Sequence, residues 1–293
     1  MHRAISAPIA LAFVLAIGLP AAAQEKVTFA STDGDLKGGT PTTVTGFLYK
    51  PQGVGPFPAV VSLHGCDGLV EEDGKVKPLY GTWGEILSRE GYIVLLPDSH
   101  GSRGHGNLCA VMPEKRPVQG GRERPRDAYG ALAYLRSRSD VRTNSIAILG
   151  QSAGASTMFF TIAKDARPKD LSDQQDFRAA VAFYPGCQPF VEREPRWAPR
   201  QPLLLLMGEA DNFTPAAPCK EVLSRVPADA VASITTHFYP GAHHAFDHPN
   251  LAVQVRTNVK LPPDGHSPTV GTNPEARADA IVRVKQFLAS TLK

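Results

Sequence analysis

The sequence predicts an α/β fold: one mostly parallel, twisted sheet of about eight strands, covered by helices on both faces. Short apolar, β-branched runs alternate with segments of helical character, and this alternation is typical of parallel sheets. Five runs are continuously apolar, as expected of strands that are buried on both faces. They span residues 59–63, 92–96, 145–149, 179–183 and 203–207.

The remaining elements complete this sheet. Residues 42–49 alternate between apolar and polar side chains, which predicts a half-exposed strand paired antiparallel with the segment around Val27 at the sheet edge. Residues 233–239 predict the last strand. The sequence shows no repeat and no linker, so one domain is expected over 24–293. The predicted helices span residues 79–90, 127–138, 153–163, 217–226 and 275–292.

The first 23 residues have the pattern of a secretory signal peptide. Arg3 precedes a continuous apolar run at 9–19, and residues 21–23 supply an A-x-A cleavage pattern. The run is short for a permanent membrane anchor, although an uncleaved anchor is the alternative. We expect a mature protein that begins near Gln24, is periplasmic or secreted, and is not bound to the membrane.

The charge balance argues against a nucleic-acid partner. The chain has 31 basic and 28 acidic residues, spread along its length, with a formal net charge of +3. Proteins that bind nucleic acids or anionic membranes usually carry concentrated basic segments. A small-molecule substrate is therefore expected, with no cofactor, and the oligomeric state is not predicted.

A nucleophile motif lies between a predicted buried strand and a predicted helix. Gly150–Gln151–Ser152–Ala153–Gly154 has the G-x-S-x-G pattern, which in this context forms a sharp turn that exposes the serine. Small residues two positions before and after Ser152 let the strand and the helix approach closely. The helix N-terminus directs free N–H groups toward developing negative charge. An ordinary tight turn with a capping serine is the alternative.

The partners of such a serine follow in the expected order. A serine hydroxyl needs a base to accept its proton, and in this fold an acid and then a histidine follow later strands. Asp211 is the preferred acid and Glu209, closer to the strand end, is the alternative. His243 and His244 both follow the last strand, and spacing alone does not choose between them.

The tetrahedral intermediate of acyl transfer needs hydrogen-bond donors for its oxyanion. The N–H of Ala153, directly after the nucleophile, is the first candidate. The second is expected after the strand at 59–63, where the Cys66 N–H is the first choice and the Gly65 N–H the second. The Cys66 thiol is itself a conceivable nucleophile, but it lacks the strand-to-helix turn.

A histidine and aspartate cluster after the last strand allows a metal-site hypothesis. The cluster lacks the i, i+4 helical pairing of common zinc motifs, and Pro249 argues against a helix, so no metal is expected. Its members are His243, His244, Asp247 and His248.

Two long, polar, proline-rich segments interrupt the alternation, at residues 98–125 and 248–273. Long loops in compact domains often cover functional sites, and the first follows the carboxyl end of a strand, where ligands bind in open α/β sheets. Arg103, Arg122 and Trp197 lie in or near such loops. Each is a candidate for substrate contact or an ordinary surface or packing residue.

Six segments of the chain resemble the dienelactone hydrolase family of α/β-hydrolases. The resemblance implies the α/β-hydrolase fold, with Ser152 as nucleophile and Asp211 as acid. The family's Gly-His-x-Phe ending further implies His244 as base. The matching segments are Leu63–His64–Gly65–Cys66–Asp67–Gly68, Leu96–Pro97–Asp98–Ser99 with Arg103–Gly104, Gly150–Gln151–Ser152–Ala153–Gly154, Tyr184–Pro185–Gly186–Cys187, Gly208–Glu209–Ala210–Asp211 with Thr214–Pro215, and Tyr239–Pro240–Gly241–Ala242–His243–His244–Ala245–Phe246.

The four cysteines of an exported protein are expected to form disulfides rather than a metal site. The sequence alone does not rank the three pairings. The family arrangement puts Cys187 and Cys219 after successive strands at the same end of the sheet, which favours their pairing and leaves Cys66 with Cys109.

The family resemblance differs at one position. Dienelactone hydrolase itself carries cysteine where this chain has Ser152, which implies a more general carboxylic-ester hydrolase, with lactones among its candidate substrates. A serine peptidase or amidase would use the same residues, although no propeller-like domain is present to restrict access. A non-catalytic binding protein is the third hypothesis. We expect an exported serine hydrolase that forms an acyl-enzyme.

Overall fold

The computed structural model describes residues 24–169, 171–261 and 264–293. The predicted signal peptide at 1–23 lies outside the described residues and stays a prediction. Among the described residues, no helix combines the length and the apolarity that crossing a membrane requires.

An eight-stranded sheet organises the fold, in the order β1-β2-β4-β3-β5-β6-β7-β8. The pairs β1–β2 and β2–β4 are antiparallel and the others are parallel. The predicted mostly parallel sheet with an antiparallel edge is confirmed. The strands are β1 (Gln24–Ala30), β2 (Thr43–Tyr49), β3 (Phe57–Leu63), β4 (Ile93–Pro97), β5 (Val141–Gln151), β6 (Ala179–Phe183), β7 (Leu203–Gly208) and β8 (Ile234–Tyr239).

Seven α-helices accompany the sheet in the described part of the chain. A two-residue pair, β9 (Gln254–Val255) with β10 (Thr269–Val270), lies within the second long loop. The helices are α1 (Pro78–Arg89), α2 (Glu123–Arg136), α3 (Ala153–Ile162), α4 (Gln188–Val191), α5 (Ala216–Ser224), α6 (Ala228–Val231) and α7 (Pro274–Leu292).

The sequence explains where two of the helices begin. Asn273 caps the start of helix α7: its side-chain oxygen accepts the Ala276 N–H at 3.0 Å, and Pro274 occupies the first helical position. Its buried residues recur every four positions, from Ala276 to Leu292, as one face of a helix requires. Helix α2 begins at Glu123, four residues before the predicted start, because a proline in the first turn does not interrupt helical hydrogen bonding.

The loops that carry the predicted catalytic residues follow the carboxyl ends of strands β5, β7 and β8. From Ile146 onward β5 is fully buried, and Gly208 at the end of β7 pairs with Tyr239 at the end of β8. Because parallel strands have their carboxyl ends on the same side of the sheet, the residues that follow β5, β7 and β8 lie on that side, with β6 between β5 and β7.

Candidate active site

Ser152 lies at a strained turn between β5 and α3. Its backbone has φ 53° and ψ −121°, a conformation that side-chain-bearing residues rarely adopt. The flanking glycines make the turn possible. A Cβ at Gly154 would lie 2.1 Å from the Leu63 carbonyl oxygen, and one at Gly150 would lie 2.6 Å from the Ala155 nitrogen. The close approach expected from the motif is therefore present.

A hydrogen-bonded series runs from Ser152 to Asp211. Nε2 of His244 lies 2.9 Å from Oγ of Ser152, and its Nδ1 lies 2.8 Å from Oδ2 of Asp211. All three side chains are buried, with residue exposures of 4–8%. Since the carboxylate can only accept, Nδ1–H donates to it, which leaves Nε2 of the neutral ring to accept the serine proton.

The loop after β7 orients the Asp211 carboxylate. Its Oδ1 accepts the N–H groups of Phe213 at 2.8 Å and Thr214 at 2.9 Å, so that Oδ2 faces His244. The Thr214 hydroxyl lies 3.0 Å from Oδ2 and 2.9 Å from the Tyr184 carbonyl oxygen. Thr214 belongs to one of the segments that resemble the family, but the sequence assigned it no role. Its position three residues after an aspartate, typical of a local side-chain-to-backbone turn, is the signal that indicates it.

The two rival residues have other partners. The Glu209 carboxylate binds Lys220 Nζ at 2.8 Å on the surface. Nδ1 of His243 lies 3.0 Å from the Ala210 carbonyl oxygen, to which it donates. The structure therefore brings together Ser152, Asp211 and His244.

A buried aspartate connects the histidine loop to the core. Asp247 accepts the Trp83 Nε1–H at 2.8 Å and also the hydroxyl proton of Tyr184, whose ring lies 4.5 Å from that of His244. Burial raises the pKa of the Asp247 carboxyl group.

The side chains of the histidine and aspartate cluster diverge. His248 Nδ1 accepts the Asn250 N–H at 3.1 Å, and Asp247 points toward Trp83. In residues 24–169, 171–261 and 264–293, no group of three or more histidine, cysteine, aspartate or glutamate side chains is arranged to hold a metal ion.

The loop after β3 passes directly beside the serine. A Cβ at Gly65 would lie 3.5 Å from Cβ of Ser152. The Gly65 N–H already donates to the Tyr80 hydroxyl at 2.8 Å. The N–H groups of Cys66 and Ala153, in contrast, have no protein acceptor among the described residues.

Disulfides join Cys66 to Cys109 and Cys187 to Cys219, which is the pairing that the family arrangement favours. The first attaches the loop beside Ser152 to the long loop after β4. The second joins the residue before α4 to α5.

A cavity of about 780 Å³ opens at Ser152, within the size range of small-molecule sites. Both long loops contribute to its mostly apolar wall, which includes Met112, Phe160, Phe213 and Leu261. Its charged lining residues are Arg116, Arg122, Arg124, Lys260 and Glu114.

Of the three candidate contact residues, the cavity includes only Arg122 among its lining residues. The Arg103 side chain is largely buried and binds Asp33 and Asp127, each at 2.8 Å. The Trp197 ring stacks on Phe159 at 4.2 Å.

Arg124 and His100 also line the cavity, and the sequence predicts no catalytic role for either. Arg124 is buried and donates to the His64 carbonyl oxygen, and its burial lowers its pKa to about 10. Burial also lowers the pKa of His100 to about 3. The local sequence does not decide between a surface and a pocket position for these residues, because their burial depends on which distant segments pack against them.

Comparisons with known proteins identify the family of this arrangement. A sequence profile described as the dienelactone hydrolase family matches residues 44–292. None of the curated proteins compared with the chain matches it.

Solved structures share the fold at low identity. A dienelactone hydrolase-like promiscuous phosphotriesterase from metagenomic libraries is 19% identical, with a TM-score of 0.66 over 92% of this chain and 100% of that one. Esterase 2 of Thermogutta terrifontis is 17% identical, with a TM-score of 0.58 over 95% and 97%. The acylaminoacyl peptidase of Pyrococcus horikoshii is 16% identical, with a TM-score of 0.61 over 94% of this chain and 42% of that one.

Proposed function

We propose that this chain, which belongs to the dienelactone hydrolase family, is a serine hydrolase that cleaves carboxylic esters of small molecules, lactones included, through an acyl-enzyme. The observation that carries the proposal is the continuous series of hydrogen bonds from Ser152 through His244 to Asp211 at the cavity.

The first half of the reaction forms the acyl-enzyme. As Ser152 Oγ attacks the ester carbonyl carbon, His244 Nε2 takes the hydroxyl proton, and the Asp211 carboxylate stabilises the resulting imidazolium. The carbonyl oxygen becomes an oxyanion, for which the unpaired N–H groups of Ala153 and Cys66 are the proposed donors. Collapse of this intermediate breaks the bond to the alcohol oxygen, which receives the proton from His244.

The second half repeats these steps with water. His244 takes a proton from a water molecule that attacks the acyl carbon, and the same N–H groups hold the second oxyanion. Collapse releases the carboxylic acid product and returns the proton from His244 to Ser152 Oγ. No cofactor enters either half.

The substitution Ser152→Ala tests the proposal. It should lower the turnover of p-nitrophenyl acetate by several orders of magnitude, since it removes the atom that forms the acyl-enzyme. A fluorophosphonate probe should label the wild-type serine and not the variant. Ser137→Ala, at the exposed end of α2, is the matched control. Unchanged turnover in Ser152→Ala would contradict the proposal.

Peptide or amide hydrolysis is the alternative, since it needs the same nucleophile and oxyanion donors. The small-molecule size of the cavity favours the ester hypothesis. Paired substrates with the same acyl group, one a p-nitrophenyl ester and one a p-nitroanilide, distinguish the two. A higher kcat/KM for the anilide would favour the peptidase or amidase.

Export forms a separate part of the proposal. It rests on the signal-peptide pattern of residues 1–23 and is supported by two disulfides, which persist in oxidising compartments. The mass of protein purified from the periplasm or the medium should correspond to a chain that begins near Gln24. Full-length protein confined to the cytoplasm would contradict export.

A further inference from the structure

The backbone of Cys66 is held on both sides. Nδ1 of His64 donates to the Gly65 carbonyl oxygen at 2.8 Å. This carbonyl belongs to the same peptide unit as the Cys66 N–H, and in a planar trans peptide the two groups point in opposite directions. The contact therefore sets the direction of the Cys66 N–H. On the other side, the Cys66 carbonyl oxygen accepts the Leu108 N–H at 2.8 Å.

The Cys66 side chain is held covalently by Cys109. The two cysteines are 43 positions apart, and both are buried. Together with Val259 they form a small apolar cluster, separate from the main core, against which Ala153, Phe213 and Leu261 pack. The disulfide therefore lies where several segments of the site meet. These are the two residues whose N–H groups are the proposed oxyanion donors, the loop of Asp211, and the two long loops.

The loop that carries Cys109 has little regular structure of its own. Between β4 and α2 it forms only two short 3-10 turns, at Gly101–Arg103 and Pro113–Lys115. Among the described residues, the Leu108 N–H is the only backbone hydrogen-bond donor of this loop to Cys66, and it alone would remain without the disulfide. Catalytic groups that shift by about 1 Å can lose about 100-fold in rate.

We propose that the Cys66–Cys109 disulfide positions the Cys66 N–H for oxyanion binding, so that Cys109 is a positioning residue for the hydrolysis. This inference rests on the proposed function. The Cys187–Cys219 bond provides the contrast, because it joins the start of α4 to α5 and neither of its cysteines carries a proposed oxyanion donor.

Two matched variants, Cys109→Ala and Cys219→Ala, test the inference. Each breaks one disulfide, and the sequence separations of 43 and 32 are similar enough that the chain-entropy model predicts comparable losses of stability. Thermal unfolding is followed by circular dichroism, the remaining disulfide is confirmed by mass spectrometry, and kcat and KM are measured with p-nitrophenyl acetate well below both unfolding temperatures.

Cys109→Ala should lower kcat by about 10- to 100-fold with KM changed by less than about 3-fold. The reason is that the hydrogen bond from the Cys66 N–H to the oxyanion, which the variant weakens, forms in the transition state. Cys219→Ala should change both constants by less than about 3-fold. Equal kcat values for the two variants, with an active wild type, would overturn the inference alone. A wild-type protein without esterase activity would contradict the proposed function, and the inference with it.

A second measurement applies if Cys109→Ala does not fold. Native wild-type protein is treated with increasing dithiothreitol, its free thiols are alkylated, and the alkylated cysteines are located by mass spectrometry. Loss of kcat should follow the alkylation of Cys66 and Cys109. A loss that follows Cys187 and Cys219 instead would overturn the inference.

Discussion

The strand-end side of the site and its cover are held in different ways. Ser152, Asp211 and His244 each lie within five residues of a strand end and are oriented by short local turns. The cover, residues 98–122, 248–261 and 264–273, depends on the Cys66–Cys109 disulfide and on contacts between distant segments. Rigid strand ends supply the geometry that proton transfer requires, whereas loops can vary to suit a substrate. Variants on the strand-end side should therefore change chemistry most.

The largest difference is expected between the two adjacent histidines. His244→Ala removes the base that contacts Ser152 and should lower kcat by about 10⁴-fold or more. His243→Ala, which loses only a hydrogen bond to the Ala210 carbonyl, should keep kcat within about 10-fold. Steady-state kinetics with p-nitrophenyl acetate measure both. A larger loss of kcat in His243→Ala than in His244→Ala would show that His243 is the base, and would contradict the arrangement described for the strand ends.

The acid should have the next largest effect. Asp211→Asn replaces the carboxylate that accepts Nδ1–H of His244, and should lower kcat by about 10³- to 10⁴-fold because the ring loses its tautomer and its charge stabilisation. Glu209→Gln, the control on the same loop, should be nearly wild type. If the two variants behave alike, Asp211 does not orient the histidine.

The aspartate behind the histidine loop should affect stability more than chemistry. Asp247→Asn leaves the Trp83 N–H or the Tyr184 hydroxyl without its acceptor and should lower the free energy of unfolding by about 1–3 kcal/mol. Urea denaturation measures this change. Asp264→Asn, at an exposed carboxylate, is the control. An equally small change in the free energy of unfolding at both positions would show that Asp247 does not stabilise the fold.

The cover should contribute to the loss of folding stability at low pH, through the buried His100. Burial holds the pKa of His100 at about 3, below the ordinary 6.5. Its neutral form therefore contributes stability that is complete above pH 6.5 and is lost as the pH falls toward 3. In His100→Gln, the free energy of unfolding should fall less between pH 7 and pH 4 than in the wild type. His64 is also buried with a lowered pKa, so part of the acid sensitivity should remain.

The control for this measurement is His105→Gln on the same loop, where the ring is partly exposed. Urea midpoints at several pH values should follow the wild-type curve for this variant. Identical curves for His100→Gln and the wild type would show that the cover does not contribute to acid sensitivity.

The local sequence pattern does not distinguish His244 from His243 or Asp211 from Glu209. The two histidines are adjacent, four and five residues after the end of β8, and the family resemblance, not the spacing, indicated His244. In the structure the choice follows from the turn after β8, which includes Ala245 at a φ of 60° and directs neighbouring side chains to different partners. Glu209 and Asp211 are separated in the same way by the turn that Phe213 and Thr214 form around the acid.

The sequence by itself determined the order of strands and helices and the strained turn at Ser152. Apolar periodicity and glycine sterics act over a few neighbouring residues, so they are visible in the chain. The tertiary structure alone decided the cavity wall, the burial of Arg124 and His100, and the engagement of the Gly65 N–H by Tyr80, which leaves the Cys66 N–H as the free donor. These properties depend on which distant segments meet, and no short stretch of sequence carries that information.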